Sequence, residues 1–186
     1  MKDTNGNIFG ENISIYRDVV VRNSEIGDYS GFAWNVSLGA AEHNQHAITM
    51  RPFPYDKWYD FISEEEERKI IQEGNFDYYS ASVVVGNDVW GGAGCQVLRG
   101  VNVSDGAIIG AGSIVTHNVG PYEIWAGVPA KKISQRFSDE VIAELLALGW
   151  WKWPREVIKK YIKYFQKNVD LALLKELEDQ VRTDLR

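Results

Sequence analysis

Between residues 85 and 120 the chain repeats every six positions: VGNDVW, GGAGCQ, VLRGVN, VSDGAI, IGAGSI, VTHNVG. The first column reads Val85, Gly91, Val97, Val103, Ile109 and Val115, and the fifth reads Val89, Cys95, Val101, Ala107, Ser113 and Val119. A half-buried strand alternates every two residues and an amphipathic helix every three or four. A period of six satisfies neither. It fits a prism-shaped solenoid, in which each hexad makes one short strand and a corner and three hexads close a coil. The first-column aliphatics then fill the axis, the small fifth-column residues pack beside them, and Gly and Asn at the corners supply positive-φ backbone. Coils stack by parallel hydrogen bonds, so the core grows one coil at a time. Gly91 stands out as a gap in a column of aliphatics, and Cys95, as a fifth-column residue, reads as a small core filler.

A weaker set precedes this one, with Val20, Ile26, Phe32 and Leu38 in the first column and Ser24, Ser30, Val36 and Glu42 in the fifth. Glu42 breaks the pattern and marks where the chain leaves the prism. Residues 44–82 carry no period and read as an excursion, in which Ser63 before EEEERKII predicts a short capped helix with a solvated acidic first turn. Three helices are expected after residue 133. Ser138 caps the first, from about Asp139 to Leu148, with Val141, Ile142, Leu145 and Leu146 on one face, and Gly149 ends it. The second begins at Pro154 and faces inward with Val157, Ile158, Tyr161, Ile162 and Phe165. The third starts near Val169 and spaces Leu174, Leu177 and Val181 for packing, against this chain or a partner. Trp150, Trp151 and Trp153 read as a packing cluster at the helix junction. The expected organisation is therefore a β-domain over 1–133, with its excursion at 44–82, and a helical extension over 134–186.

With 186 residues, the chain is long enough for one core with an appendage. A net charge of -6 argues against broad binding to nucleic acid or anionic lipid. The start MKDTNGNIFGEN lacks the apolar core of a signal peptide, and no apolar run reaches membrane-spanning length. One cysteine forms no internal disulfide, which points to a reducing cytoplasm.

The stretch GNDVWGGAGCQVLRGVNVSDGAIIGAGSIVTHNVGPYEIWAGVPAKKISQRF resembles the hexapeptide acyltransferases, with GNDVW, GAGSIVT, PYEI and GVPAK in their usual order. Its continuation RFSDEVIAELLALGWWKWP is similar to the xenobiotic acetyltransferase subgroup, which includes type B chloramphenicol and streptogramin acetyltransferases and many polysaccharide O-acetyltransferases. The resemblance is close over roughly 83–165 and looser over 19–53. It implies a left-handed parallel β-helix with an excursion loop and C-terminal α-helices, assembled as a homotrimer with active sites between subunits. It also implies acetyl-CoA as co-substrate.

The resemblance assigns a catalytic histidine to the place where the chain leaves the prism. Here that place is LGAAEHNQH, and His43 is the first histidine in it. The chemistry agrees. A sugar hydroxyl must lose its proton as it attacks a thioester, and imidazole, with an ordinary pKa near ~6.5, can accept it at neutral pH. Such general-base help contributes roughly 10²–10⁴ in rate. Backbone N–H groups at Gly-rich corners can receive the oxyanion. Transfer is direct, with no acyl-enzyme. The plain alternative for His43 is a surface loop histidine. His46 is read as a supporting or acceptor-contacting residue, with an incidental surface role as its alternative. His117 invites a zinc reading, but the three histidines lack the spacing of ligands on neighbouring coils, and no metal is expected.

The resemblance further places the pantetheine arm along backbone at successive corners, at Ala93, Ala111 and Thr116–His117. Small residues there leave the backbone open. Lys131 in GVPAK matches a residue that meets the cofactor phosphates. Ser134 stands where many relatives have a second cation, with Lys132 or Arg136 as possible stand-ins. Trp90 is read as a wall of the thioester region, or else a structural aromatic. In the loop, Tyr55, Trp58 and Tyr59 can stack on a sugar ring, with Tyr55 and Trp58 as the candidate acceptor contacts, or else they anchor the loop. The loop lacks a clean Ser-Thr-Tyr-Pro-Phe pattern, so the expected acceptor is a sugar or surface-polysaccharide hydroxyl. Antibiotic O-acetylation, nucleotide amino-sugar N-acetylation and a non-catalytic scaffold are the alternatives.

Overall fold

The computed structural model describes residues 6–51, 65, 66, 69 and 81–185. Four coils each contribute three strands. They are β1 (Ile8–Phe9), β2 (Ser14–Ile15), β3 (Val20–Val21); β4 (Ser24–Ile26), β5 (Gly31–Phe32), β6 (Ser37–Leu38); β7 (Val83–Val85), β8 (Trp90–Gly91), β9 (Gln96–Val97); and β10 (Asn102–Val103), β11 (Ile108–Ile109), β12 (Ile114–Val115). They stack into three sheets, ordered β1-β4-β7-β10, β2-β5-β8-β11 and β3-β6-β9-β12, every one of these pairings being parallel. An antiparallel pair, β13 (Glu123–Gly127) and β14 (Ala130–Gln135), continues the second sheet beyond β11. We call the corners after the first, second and third sheets the first, second and third corner.

The column assignment holds from Val85 to Val119: the aliphatics of both columns, together with Cys95, Ala107 and Ser113, are buried. Each buried Val, Ile or Leu contributes about 1.5–3 kcal/mol relative to exposure. The corners turn through a left-handed residue in the fourth column, at Asp88, Gly94, Gly100, Gly106 and Gly112. Asp tolerates that conformation because its short polar side chain bonds locally. Fifth-column serines stay satisfied inside: Ser30 Oγ donates to Gly86 O at 2.9 Å and accepts from Val89 N at 3.1 Å. Burial pushes the Cys95 thiol up to about 12, so it stays protonated and unreactive at neutral pH.

The first coil departs from the expected columns. Phe9 lies opposite Ile26 and Val21 opposite Leu38, 17 positions apart in both cases, whereas Val85 and Val103 are 18 apart. The turn from Val21 to Ile26 is one residue short. Val21 packs against the core and Val20 points out, 49 % exposed. The gap at Gly91 has a steric cause: a Cβ there would lie 2.7 Å from Cδ1 of Phe32 on the coil before. The ring of Phe32 fills the axis that an aliphatic at 91 would otherwise occupy.

The helices follow their capping signals. In α1 (Asp139–Leu148), Ser138 accepts from Val141 N, and Gly149 closes the end at φ 49° with its N–H on Leu145 O. The second, α2 (Arg155–Lys160), is shorter than the periodicity implied. Val157 and Tyr161 are buried, but Ile162 and Phe165 lie beyond it, 47 % and 38 % exposed. In α3 (Leu171–Val181), Leu174 packs with Val141 and Leu145, and Leu177 and Val181 pack with Trp153, Val157 and Tyr161. The third helix therefore packs on its own chain. Trp150 docks the helices on the prism, its ring 4.9 Å from that of Tyr29 at the first corner. Glu65, Glu66 and Lys69 have helical backbone in the excursion; the expected cap, Ser63, lies outside the described residues.

Gly91→Val is expected to destabilise the fold by about 1–3 kcal/mol through overpacking against Phe32, measured by chemical denaturation. Phe32→Leu in the same chain should recover part of the loss, and equal stability of wild type and Gly91→Val would contradict the packing account.

Candidate active site

The excursion begins at the third corner. Gly39 N donates to Val97 O at 3.1 Å, the last backbone–backbone bond among the described residues before the chain departs, and Gly100 N donates to Ser82 O at 3.2 Å where it returns. Gly39 turns out at φ 70°, in a place where a Cβ would meet Arg22 O. His43 follows four residues later, on the exposed side of this exit. Its Nδ1 lies 2.9 Å from Met50 O. A carbonyl only accepts, so this bond places the proton on Nδ1 and the lone pair of a neutral ring on Nε2. His46 is exposed in the next turn, its backbone N–H donating to Asn44 Oδ1 at 3.1 Å. Tyr55 and Trp58 lie outside the described residues.

The cofactor candidates fall into separate groups. Ala93 and Ala111 stack on the second corner, where Gly112 N donates to Ala93 O at 2.8 Å. A Cβ at Gly112 would meet nothing within 4 Å, so the backbone there is open to a ligand. Lys131 is exposed on β14, paired across the hairpin with Ala126 at the same end of the prism. Thr116 and His117 sit instead at the third corner, with Thr116 Oγ1 2.8 Å from His117 Nδ1. That is the corner from which the excursion leaves, since Leu98 N donates to Val115 O at 3.0 Å just below it. Trp90 belongs to neither corner. It stands on the outer face of the second sheet, 44 % exposed, lining a cavity of about 330 Å³ with Tyr16, Ile108 and Arg136.

The two stand-in cations are engaged elsewhere. Lys132 Nζ is 2.8 Å from Glu123 Oε1. Partial burial alone would raise Glu123, but hydrogen bonds from Lys132, Trp125 and Gly120 N–H hold its carboxyl below the usual range. Arg136 bridges Asp88 Oδ2 and Gly106 O, both at 2.9 Å. A cavity of about 590 Å³ between prism and helices is lined by Tyr122, Arg136, Trp150 and Leu174 among others and contains, apart from the stand-in Arg136, none of the site candidates. Among the described residues, no group of three or more His, Cys, Asp or Glu is placed to hold a metal ion, and no helix is long and apolar enough to cross a membrane.

Two residues of the site region were not singled out from the sequence. Arg99, 7 % exposed, donates to Gly39 O, Ala40 O and Ala81 O at 2.6, 3.2 and 3.0 Å. It therefore grips both stems of the excursion. Its signal was present: a cation in the third column, VLRGVN, whose other members are Asn, Ala, Asp, Ala and His. The second is Trp34. Gly94 N donates to Trp34 O at 2.9 Å as Gly112 N does to Ala93 O, so Trp34, Ala93 and Ala111 occupy one column on successive coils. Trp34 is 57 % exposed and puts bulk next to the two alanines, with Arg17 following it on the first coil, where Asn35 N donates to Arg17 O at 3.1 Å. Only the coil-to-coil register across the excursion reveals it.

No protein-family model matches the chain. A probable macrolide acetyltransferase of Lysinibacillus sphaericus is 37 % identical over 154 residues, 81 % of each chain. A chloramphenicol acetyltransferase of Morganella morganii is 46 % identical over 80 residues. That match spans 43 % of this chain and only 38 % of the relative's length. Among solved structures, a maltose O-acetyltransferase from Clostridium difficile 630 superposes with a TM-score of 0.53 at 26 % identity, over 72 % of this chain and 60 % of that one. Similarity of this extent, on a chain whose hexads close a parallel prism with small-residue corners, places it: the chain belongs to the hexapeptide-repeat acetyltransferase family, which includes the xenobiotic acetyltransferases.

Proposed function

We propose that the chain is an acetyl-CoA-dependent O-acetyltransferase with His43 as general base. In this reading its coils wind left-handed and three copies assemble in the cytoplasm with sites between neighbours. The observation that carries the reading is the Nδ1–Met50 O bond. It orients the imidazole and puts the lone pair of the neutral ring on Nε2, the atom that takes the proton in this reading. The acceptor O–H gives its proton to Nε2 while its oxygen bonds to the thioester carbon. The C–S bond then breaks, and the departing thiolate takes the proton back from the imidazolium. The oxyanion formed in between can be met by corner N–H groups, each such donor contributing about 2.7–4 kcal/mol to the transition state.

The donor fits the second corner. With phosphates at Lys131, an arm running down the column passes the open backbone of Ala111 and Ala93. It reaches Trp34 four strand spacings from β14, roughly 19 Å. Trp34 stands on the coil from which the His43 stem departs, so the reactive end of the arm meets it. Its indole leaves room for a short acyl group, which favours acetyl over longer chains.

The acceptor in this reading is a sugar hydroxyl, as in assembly of a surface polysaccharide, with His46, Tyr55 and Trp58 on its side of the site. The relative named for macrolide acetylation favours a second reading, an antibiotic hydroxyl. Amino-sugar nucleotides test N-acetylation. We expect thiol release from acetyl-CoA that requires one acceptor class, in a panel of oligosaccharides, amino-sugar nucleotides, chloramphenicol, a macrolide and streptogramin A. His43→Ala should lower kcat by about 10²–10⁴, and undiminished turnover in that variant would remove His43 from the mechanism. Trp34→Ala should extend the donor range to butyryl-CoA and hexanoyl-CoA while acetyl-CoA remains a substrate. An unchanged preference for acetyl would show that Trp34 does not bound the acyl group.

A further inference from the structure

Among the described residues, Arg99 is the one buried cation that touches both ends of the excursion. Its side chain rises from the third corner of the third coil, between β9 and β10, and is 7 % exposed. The donors divide between the stems. One terminal nitrogen reaches Gly39 O at 2.6 Å and Nε reaches Ala40 O at 3.2 Å, both on the outgoing stem. The other terminal nitrogen reaches Ala81 O at 3.0 Å on the returning stem. A guanidinium presents its donors in a fixed planar fork, so three simultaneous bonds set the mutual position of the three carbonyls. An ammonium group is a rotating point donor and cannot hold two separate strands in one plane in the same way.

The excursion inserts 41 residues between coils, because Leu38 and Val97 are partners 59 positions apart while Val97 and Val115 are 18 apart. Among the described residues, backbone bonds from the prism end at Gly39 on one side and Ser82 on the other. Past those points the outgoing stem is tied to the prism by Arg99. His43 lies three residues beyond Ala40, within about 10 Å of extended chain. Whatever fixes Ala40 therefore limits where the imidazole can stand.

We propose that Arg99 is a positioning residue for His43: by bonding Gly39, Ala40 and Ala81 it holds the loop so that the imidazole meets the reacting hydroxyl. It touches no substrate and transfers no proton. The proposal rests on the reading of His43 as the base. General-base catalysis is sensitive to placement, a shift of about 1 Å costing roughly 10² in rate.

The test uses the full-length chain and whichever acceptor turns over. Arg99→Met should lower kcat about 10²-fold while KM for acetyl-CoA stays within about two-fold. Arg99→Lys should recover little of the loss. Arg99→Ala should regain activity on addition of millimolar guanidinium at concentrations that leave wild type unaffected. The decisive comparison is in the His43→Ala background, where Arg99→Met should lower the residual rate no further, because a residue that acts through the imidazole has nothing left to position. Independent multiplication of the two losses would overturn the proposal, as would full activity of Arg99→Met. Should Arg99→Met be insoluble, Arg99→Lys alone and paired with His43→Ala gives the same comparison. Full activity of His43→Ala by itself would instead refute the base assignment on which the proposal rests.

Discussion

Everything in this molecule depends on parallel hydrogen bonding between coils whose strands are only two or three residues long. No single strand of that length is stable, and each coil presents a bare apolar edge until the next one covers it. The bonding is therefore cooperative along the axis, and it forces equivalent residues on successive coils into straight columns. Side chains at the first corner reinforce the stack: Asn87 Oδ1 accepts from Asp28 N at 2.8 Å, and Asp105 Oδ1 accepts from Asn87 N at 2.7 Å. A column is then a natural groove. Small residues at one corner leave a continuous line of accessible backbone, which is what an extended ligand arm requires.

The same geometry explains how the chain tolerates so long an excursion. The coils on either side keep their register because β4, β5 and β6 pair with β7, β8 and β9 as though nothing intervened. The loop costs little provided its ends are closed, since closure entropy rises only with the logarithm of length. Closure is the task that Gly39, Gly100 and Arg99 share. The excursion also places His43 beyond the third corner, while the column of Ala111, Ala93 and Trp34 runs along the second. Three residues of chain beyond Ala40 reach at most about 10 Å. A full hexad of chain, the width of a face, separates one corner from the next. In the reading proposed above, a site that needs both elements is completed by a second copy that brings its column to the first copy's loop.

The parts of the fold that follow a repeat or a cap were legible. Period six names the inward columns from Val85 onward because each position has the same environment on every coil. Ser138 and Gly149 announce their helix ends through local chemistry alone. What failed depended on counting across breaks in the period. The turn before Ile26 is short by one, and with valine at both 20 and 21 the composition could not say which one faces the axis. Gly91 looked like a defect because its filler, Phe32, comes from across the excursion. Trp34 was hidden for the same reason, its kinship with Ala93 and Ala111 being a matter of register. Arg99 was visible as a misfit in its column, but the carbonyls of Gly39, Ala40 and Ala81 that it bonds are backbone groups, which no side-chain motif records.

Subunit complementation tests the central claim, that the His43 loop of one copy works with the second-corner column of another. Chains carrying His43→Ala and chains carrying Ala111→Trp, which obstructs the column, are each expected to be inactive alone. Co-expressed and purified through two different tags, the mixed assemblies should recover acetyl transfer, because some interfaces then pair an intact imidazole with an intact column. Mixed assemblies of verified composition that remain as inactive as the parents would contradict the account and place both elements within a single chain.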